Sequence, residues 1–337
     1  MTSDGHVKMT GSGGFIVIEI PTTLVLGAGA SVAYGLPLNS ELTSRLYRLG
    51  SEEDPRHGML CAAGFGTAEI LAFSTEFLQS QAPSIDEFLS HRADDFSRIG
   101  KAAIAMIIRE RESPDLLLKP QDADHWYKYL WERLTEDATF ETIDRSKLTV
   151  VTFNYDRSLE TYLSYVIGAR FRKTPKECAE SRSKGGWLNI IHVYGEVTGN
   201  YGWNATSLEA LSPSLTDDAL EELHVIPEGG NDDQRVLQVR AVLSRAKRIC
   251  FLGFGFQKLN LDLLDAKTTC TDTSRPVWGT AHGLKENEIF QAEKRCSLFA
   301  GSKTWPRPRR PMDRHGFYDM KCLDLLRESL VLSPPDV

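Results

Sequence analysis

The sequence predicts an α/β protein: a mostly parallel sheet with helices on both faces. Short apolar runs rich in β-branched residues, at 24–26, 148–153, 187–193, 248–252 and 275–279, alternate with stretches of helical periodicity. The run at 148–153 shows little polar alternation, as expected of a strand buried on both faces. The run at 24–26 leads straight into Gly27-Ala28-Gly29-Ala30-Ser31, two glycines spaced by one and followed by a small hydroxyl. That pattern predicts a buried strand ending in a tight turn that a ligand can approach closely.

From the N-terminus, residues 1–14 are polar and glycine-rich and are expected to form a loose tail, followed by a short strand at 15–20. After the glycine turn a helix is expected from about Val32, interrupted near Pro37, with a second from Ser40 to Leu49. Residues 67–134 are mainly helical in pattern. There Ser84 is expected to cap a helix with Glu87 three positions on, a capping box, while Ile85, Phe88 and Leu89 share one face. Further helices are expected at 157–167, 234–247 and 286–296. Residues 213–234 hold seven acidic side chains and no lysine or arginine, which predicts a solvated insertion. The Pro- and Arg-rich stretch at 305–311 reads as a surface loop. These elements make a Rossmann-like sheet with an inserted helical region at about 50–145, spanning residues 21–300, between an N-terminal tail (1–20) and a C-terminal extension (301–337).

Bulk composition narrows the function classes. With 41% hydrophobic and 25% charged residues the chain is ordinary for a soluble globular protein. A net charge of −7 argues against a general nucleic-acid binder. The six cysteines form no C-x-x-C pair, which disfavours a structural zinc site or a disulfide framework and fits reduced thiols in the cytoplasm. No apolar stretch approaches the roughly 20 residues needed to span a bilayer, and the N-terminus lacks the order of a secretion signal.

In parallel sheets ligands bind beyond the carboxyl ends of the strands. Four strands end in polar or glycine-rich segments: Gly27 to Ser31, Asn154-Tyr155-Asp156, His192-Val193-Tyr194-Gly195 and Gly253-Phe254-Gly255-Phe256. Amides at a helix start favour a phosphate. Asn154 and Asp156 can hydrogen-bond a sugar hydroxyl, an amide or a water, or instead form an Asx turn that caps the next helix. His192 is either a satisfied core histidine or a general base. Tyr194 offers a phenol that is a poor base at neutral pH. The turn at 27–31 is not G-x-G-x-x-G, and no acidic residue follows about 20 positions on in a clear second strand, which disfavours a dehydrogenase.

In order and spacing these segments resemble the sirtuin family, specifically its bacterial sirtuin-like antiphage-defence branch, over roughly residues 22–300. Gly27 to Ser31 with Gly35-Leu36-Pro37 is similar to the sirtuin phosphate-binding loop. Thr152-Phe153-Asn154-Tyr155-Asp156 is similar to the segment that contacts nicotinamide and its ribose. Gly253 to Phe256 falls where that family has a second nucleotide loop. Ser84-Ile85-Asp86-Glu87-Phe88-Leu89 resembles a helix of the defence members. The chain departs from the deacylase branch: it lacks a four-cysteine zinc module, and Leu38-Asn39 stand where Phe-Arg is usual. Tyr194 stands before Gly195, where the family's histidine is usual.

The resemblance implies an NAD+ glycohydrolase that releases nicotinamide and ADP-ribose without a metal. It implies catalytic roles for Asn154, His192 and Tyr194, and binding roles for Gly27, Ala28, Gly29, Ala30, Ser31, Asp156, Gly253, Gly255 and Phe256. Because positions two apart on a strand share a face, His192 is expected to point toward the pocket from one pleat deeper than Tyr194. A homo-oligomer activated by a trigger, with a separate regulatory protein, is also implied. The alternative is a non-catalytic NAD+ or ADP-ribose binder acting by conformation or assembly.

Overall fold

A computed structural model describes residues 18–136, 138–140, 142–143, 146–174, 176–178, 188–197, 215, 220–221, 223, 233–269, 275–296 and 315–333. Six strands form one all-parallel sheet: β1 (Thr22–Leu26), β2 (Leu148–Thr152), β3 (Asn189–His192), β4 (Arg248–Leu252), β5 (Val277–Thr280) and β6 (His315–Tyr318), in the order β3-β2-β1-β4-β5-β6. This is the Rossmann-like α/β arrangement expected from the sequence. β1 lies at the centre, with Leu24 flanked by Val150 on one side and Cys250 on the other. All five of its residues are buried.

Side-chain alternation splits the core in two. Val25, Val151, Ile191, Ile249, Phe251, Val277 and Phe317 pack on one face of the sheet. Leu24, Leu26, Val150, Cys250, Leu252 and Trp278 pack on the other.

The chain between β1 and β2 is largely helical. A 3₁₀ helix (Ala28–Tyr34) leads into α1 (Asn39–Arg48), α2 (Pro55–Ala62), α3 (Thr67–Ser80), α4 (Ile85–Arg111), α5 (Pro114–Leu118) and α6 (Trp126–Thr135). Two expectations are adjusted here. The helix expected from Val32 is a 3₁₀ turn closed by Gly35, with φ +88°. Ser84 accepts from the Glu87 amide at 3.2 Å, one half of the expected capping box.

α4 is sharply kinked at Arg92 (φ −134°, ψ 31°). Eight helical residues span about 12 Å in a straight helix, yet the Phe88 and Phe96 rings lie 5.8 Å apart. Its two limbs therefore fold against each other around Phe73, Phe77, Phe88 and Phe96. On the opposite core, α6 is tied to the 3₁₀ helix: Trp126 Nε1 donates to the Ala30 carbonyl at 2.8 Å and the Tyr34 ring stacks on Tyr127 at 3.7 Å.

The remaining helices are α7 (Ser158–Phe171), α8 (Gln234–Arg245), α9 (Lys258–Leu263), α10 (Ala266–Thr269), α11 (Glu286–Arg295) and α12 (Cys322–Ser329). No described helix is long and apolar enough to cross a membrane. The five described cysteines carry free thiols.

The segment expected to be a C-terminal extension instead completes the sheet. β6 pairs with β5, and Phe317 stacks on Phe256 at 4.2 Å. α12 is capped from the inserted helical region, where Asp124 accepts the amides of Cys322 (3.2 Å) and Leu323 (2.6 Å). Residues 18–20 form no strand, although Ile18 is buried and its carbonyl accepts the Lys147 amide at 2.9 Å. The rest of that expected strand, most of the acidic stretch at 213–234 and the loop at 305–311 lie outside the described residues.

If β6 belongs to the cooperative core, Phe317→Ala is expected to lower the unfolding free energy by about 3–5 kcal/mol, measured by urea denaturation. An unchanged midpoint would place the strand outside the folding unit.

Candidate functional site

Strand order reverses between β1 and β4, and a cleft opens there beyond the carboxyl ends of β1, β2 and β4. It encloses about 860 Å³, open solvent at its mouth included. Three of the four segments expected to converge build its floor: the turn after β1, the Phe153–Asp156 stretch after β2 and the 253–257 loop after β4. Tyr194 adds the fourth wall from beyond β3, and the helical insertion closes the side with Leu38, Asn39, Leu42, Asp86 and Ile108.

Two of these turns touch backbone to backbone. A Cβ at Gly27 would sit 2.6 Å from the Gly253 carbonyl oxygen, and one at Gly29 would sit 2.8 Å from the Gly253 Cα. Gly253 itself has φ +57°, and a Cβ there would lie 2.0 Å from the Ala30 nitrogen. No side chain fits between these turns. Their contact is sealed by Gly27 N–H donating to Leu252 O (3.0 Å), Gly29 N–H to Gly253 O (2.9 Å) and Gly253 N–H to Thr280 Oγ1 (2.7 Å).

This seal revises the expected phosphate cradle. The amides of Gly27 and Gly29 are spent on the neighbouring turn, and that of Ala30 on Gly27 O. Ala28 N–H is the turn amide left without a backbone partner among the described residues. The turn therefore offers a bare backbone wall and the Ser31 side chain more than a ring of amides.

Asn154 is buried and donates through Nδ2 to both Gly27 O and Ser31 Oγ, each at 3.0 Å. It clamps the turn after β1 to the stretch after β2. Both Nδ2 protons being used, Oδ1 is its remaining polar atom, on a residue that lines the cleft.

Asp156 lines the cleft and also forms the Asx turn: its Oδ1 accepts from the Ser158 amide at 3.0 Å and from the Ser158 hydroxyl. Tyr127 Oη shares the Ser158 hydroxyl at 2.6 Å. Burial raises the Asp156 carboxyl above its usual range, opposed by the Ser158 hydrogen bonds.

Three expected site residues lie elsewhere. Ala30 is in the core beneath the turn, and its carbonyl receives Trp126. Phe256 takes φ +51°, which turns its ring into the core against Phe317; Phe254 lines the cleft instead. Gly255 lines the cleft with open space above its Cα.

His192 is the third. It is the last residue of β3, and the chain turns at Val193 and Tyr194, so strand alternation does not extend to Tyr194. The His192 ring bonds α7 instead of the cleft: Nε2 meets Glu160 Oε1 at 2.5 Å and lies 3.5 Å from Glu196 Oε2. Nδ1 donates to the Asn154 carbonyl at 3.0 Å, which holds the backbone of the β2 turn from behind. Glu160, His192 and Glu196 bring ligand-type atoms within 4.8 Å of one another. Arg157 pairs with Glu196 at 3.4 Å, so these charges are compensated by one another.

Tyr194 is buried, donates to Asn260 Oδ1 at 2.7 Å and packs edge-on to Phe153. Burial, reinforced by the Asp86 carboxyl, pushes its phenol far above its usual value.

Sequence reasoning missed Asp86 and Tyr155 as site residues. Tyr155, packed beside Tyr194, donates its hydroxyl to Asp86 Oδ1 from 69 residues away. Burial pushes the Asp86 carboxyl up to about 6, against the opposing pull of the Tyr155 hydrogen bond. The capping pattern that located this helix start was the available signal, but it marks Asp86 as an ordinary first-turn acid.

Compared with known proteins, the chain matches no family model and no curated sequence.

Burial lowers the His192 pKa, but Glu160, Glu196 and the Asn154 carbonyl outweigh it, so the folded value is raised. Its contribution to stability is whole below the unfolded value of about 6.5 and is lost as pH rises through the higher folded value. His192→Gln is expected to destabilise the fold more at pH 6 than at pH 9, measured by denaturant unfolding. An equal loss at both pH values would contradict a charged His192–Glu160 pair.

Proposed function

We propose that the protein is a sirtuin-like NAD+ glycohydrolase. The observation that carries this reading is the convergence, in one cleft at the strand-order reversal, of the Gly27–Ser31 turn, Asn154 with Asp156, and the Gly253–Gly255 turn. These are the segments whose order resembles the sirtuin nucleotide site. In this reading the glycine turns let the dinucleotide approach bare backbone, with Ser31 and the Ala28 amide as polar contacts. Asn154 Oδ1 orients the nicotinamide ribose, and Asp156 meets the carboxamide. Cleavage passes through an oxocarbenium-like state, which needs orientation and charge stabilisation more than a strong nucleophile. Tyr194 serves as a wall, its hydroxyl proton committed to Asn260. His192 acts from behind, by holding the Asn154 backbone. Like the defence branch it resembles, the enzyme would act by NAD+ depletion after a trigger drives its assembly.

One observation favours a second reading, a non-catalytic NAD+ or ADP-ribose binder. The phenol before Gly195 is far too weak an acid to exchange protons near neutrality and is bonded to Asn260, and the histidine two positions earlier faces α7.

Incubation of the full chain with NAD+ at increasing protein concentration, with nicotinamide and ADP-ribose quantified, separates the two. Both products are expected in equal amounts; binding without product would establish the binder. Asn154→Ala is expected to lower turnover by about 10²-fold through misplaced substrate. It should also cost about 1–3 kcal/mol of stability, because Gly27 O and Ser31 Oγ lose a buried donor. Full activity in that variant would remove Asn154 from the site.

A further inference from the structure

A glycohydrolase needs a group to take the proton of the attacking water, and the residues expected from the sequence do not supply one. Tyr194 holds its proton far above neutral pH. His192 points to Glu160 on α7. Asp156 is held by both donors of Ser158 and in this reading meets the substrate carboxamide. Asn154 has no titratable group. The cleft holds one further carboxyl, Asp86, brought in by the first limb of the kinked α4 while Ile108 arrives on the second.

Asp86 Oδ1 accepts the Tyr155 hydroxyl, and no other side chain bonds the carboxyl among the described residues. The carboxyl therefore keeps acceptor capacity on a residue that faces the cleft. Its titratable neighbours are the phenols of Tyr155 and Tyr194, both kept protonated by burial, and Asp156 in the same cleft wall. Of the charged side chains on α1 and the second limb of α4, Glu41, Arg45, Glu110 and Arg111 pair with one another.

We propose that Asp86 is the catalytic general base of this cleft and that Tyr155 is the positioning residue that orients its carboxylate. This role rests on the glycohydrolase reading. The water oxygen forms a bond to C1′ of the nicotinamide ribose as the C1′–N bond breaks. The electron pair of that bond goes to the ring nitrogen, so nicotinamide leaves neutral. The water proton passes to Asp86 and then to solvent. No oxidant, reductant or metal enters the balance.

A carboxyl pushed up to about 6 is still mostly ionised at neutral pH and strong enough as a base to accept that proton. The test is a single-turnover pH profile on the full chain with NAD+, with NAD+ affinity measured in parallel by calorimetry. Asp86→Asn, which can still accept the Tyr155 hydrogen bond, is expected to lose about 10²–10⁴-fold in rate with NAD+ affinity retained. Asp86→Glu should recover part of the rate. The wild-type rate should fall about tenfold per pH unit below about 6, and that limb should vanish in Asp86→Asn. Tyr155→Phe removes a hydrogen bond to the ionised form, so it should move the acid limb to higher pH. This variant keeps the ring and carries the test if Asp86→Asn does not fold.

Wild-type turnover that Asp86→Asn leaves intact, or an acid limb that Tyr155→Phe leaves unmoved, overturns the assignment of Asp86 alone. NAD+ binding without wild-type turnover overturns the glycohydrolase reading and this role with it.

Discussion

The closest constraint in the molecule is the contact of two turns that leave no room for a side chain. Gly27 and Gly29 press on Gly253, and a Cβ at Gly253 would lie 2.0 Å from the Ala30 nitrogen. Much of the site's geometry follows from this contact. It holds the carboxyl ends of β1 and β4 together where the strand order reverses. It commits the amides of Gly27 and Gly29, and it sets the surface that Asn154 clamps through its two 3.0 Å hydrogen bonds. The glycines are thus required by packing as much as by any ligand, and their presence alone does not identify a phosphate loop.

Around this contact the buried polar groups form a second layer. Ser31, Asn154, Asp156, Ser158 and Tyr127 are all buried, and each has a hydrogen-bond partner. Buried polar groups are costly unless paired, so this network fixes the β2 turn in one arrangement. His192, bonded to Glu160 and to the Asn154 carbonyl, extends it to α7. Asp86 differs in position and saturation. It comes from the helical insertion, in the first turn of α4, lines the cleft and has one side-chain partner.

Much of the sheet was legible in the sequence because strands buried on both faces leave continuous β-branched runs. Leu148–Thr152 and Arg248–Leu252 fall within a residue of the expected bounds. β6 was not legible: His315–Tyr318 is four residues long, contains a glycine and follows a Pro- and Arg-rich stretch. In the site, the segments were readable but the direction of each side chain was not. Alternation placed His192 and Tyr194 on one side, yet the strand ends at His192 and the turn separates them. Phe256, expected in the site, turns into the core at a positive φ, and Phe254 lines the cleft. Asp86 acquires its meaning from a tyrosine 69 residues away, a distance no local pattern spans.

The most direct measurement of whether the three strand ends form one NAD+ pocket is amide hydrogen exchange of the full chain with and without NAD+. Slowed exchange at 27–31, 153–156 and 253–257 together is the predicted result. Protection confined to one of the three, or found only elsewhere in the chain, would contradict it.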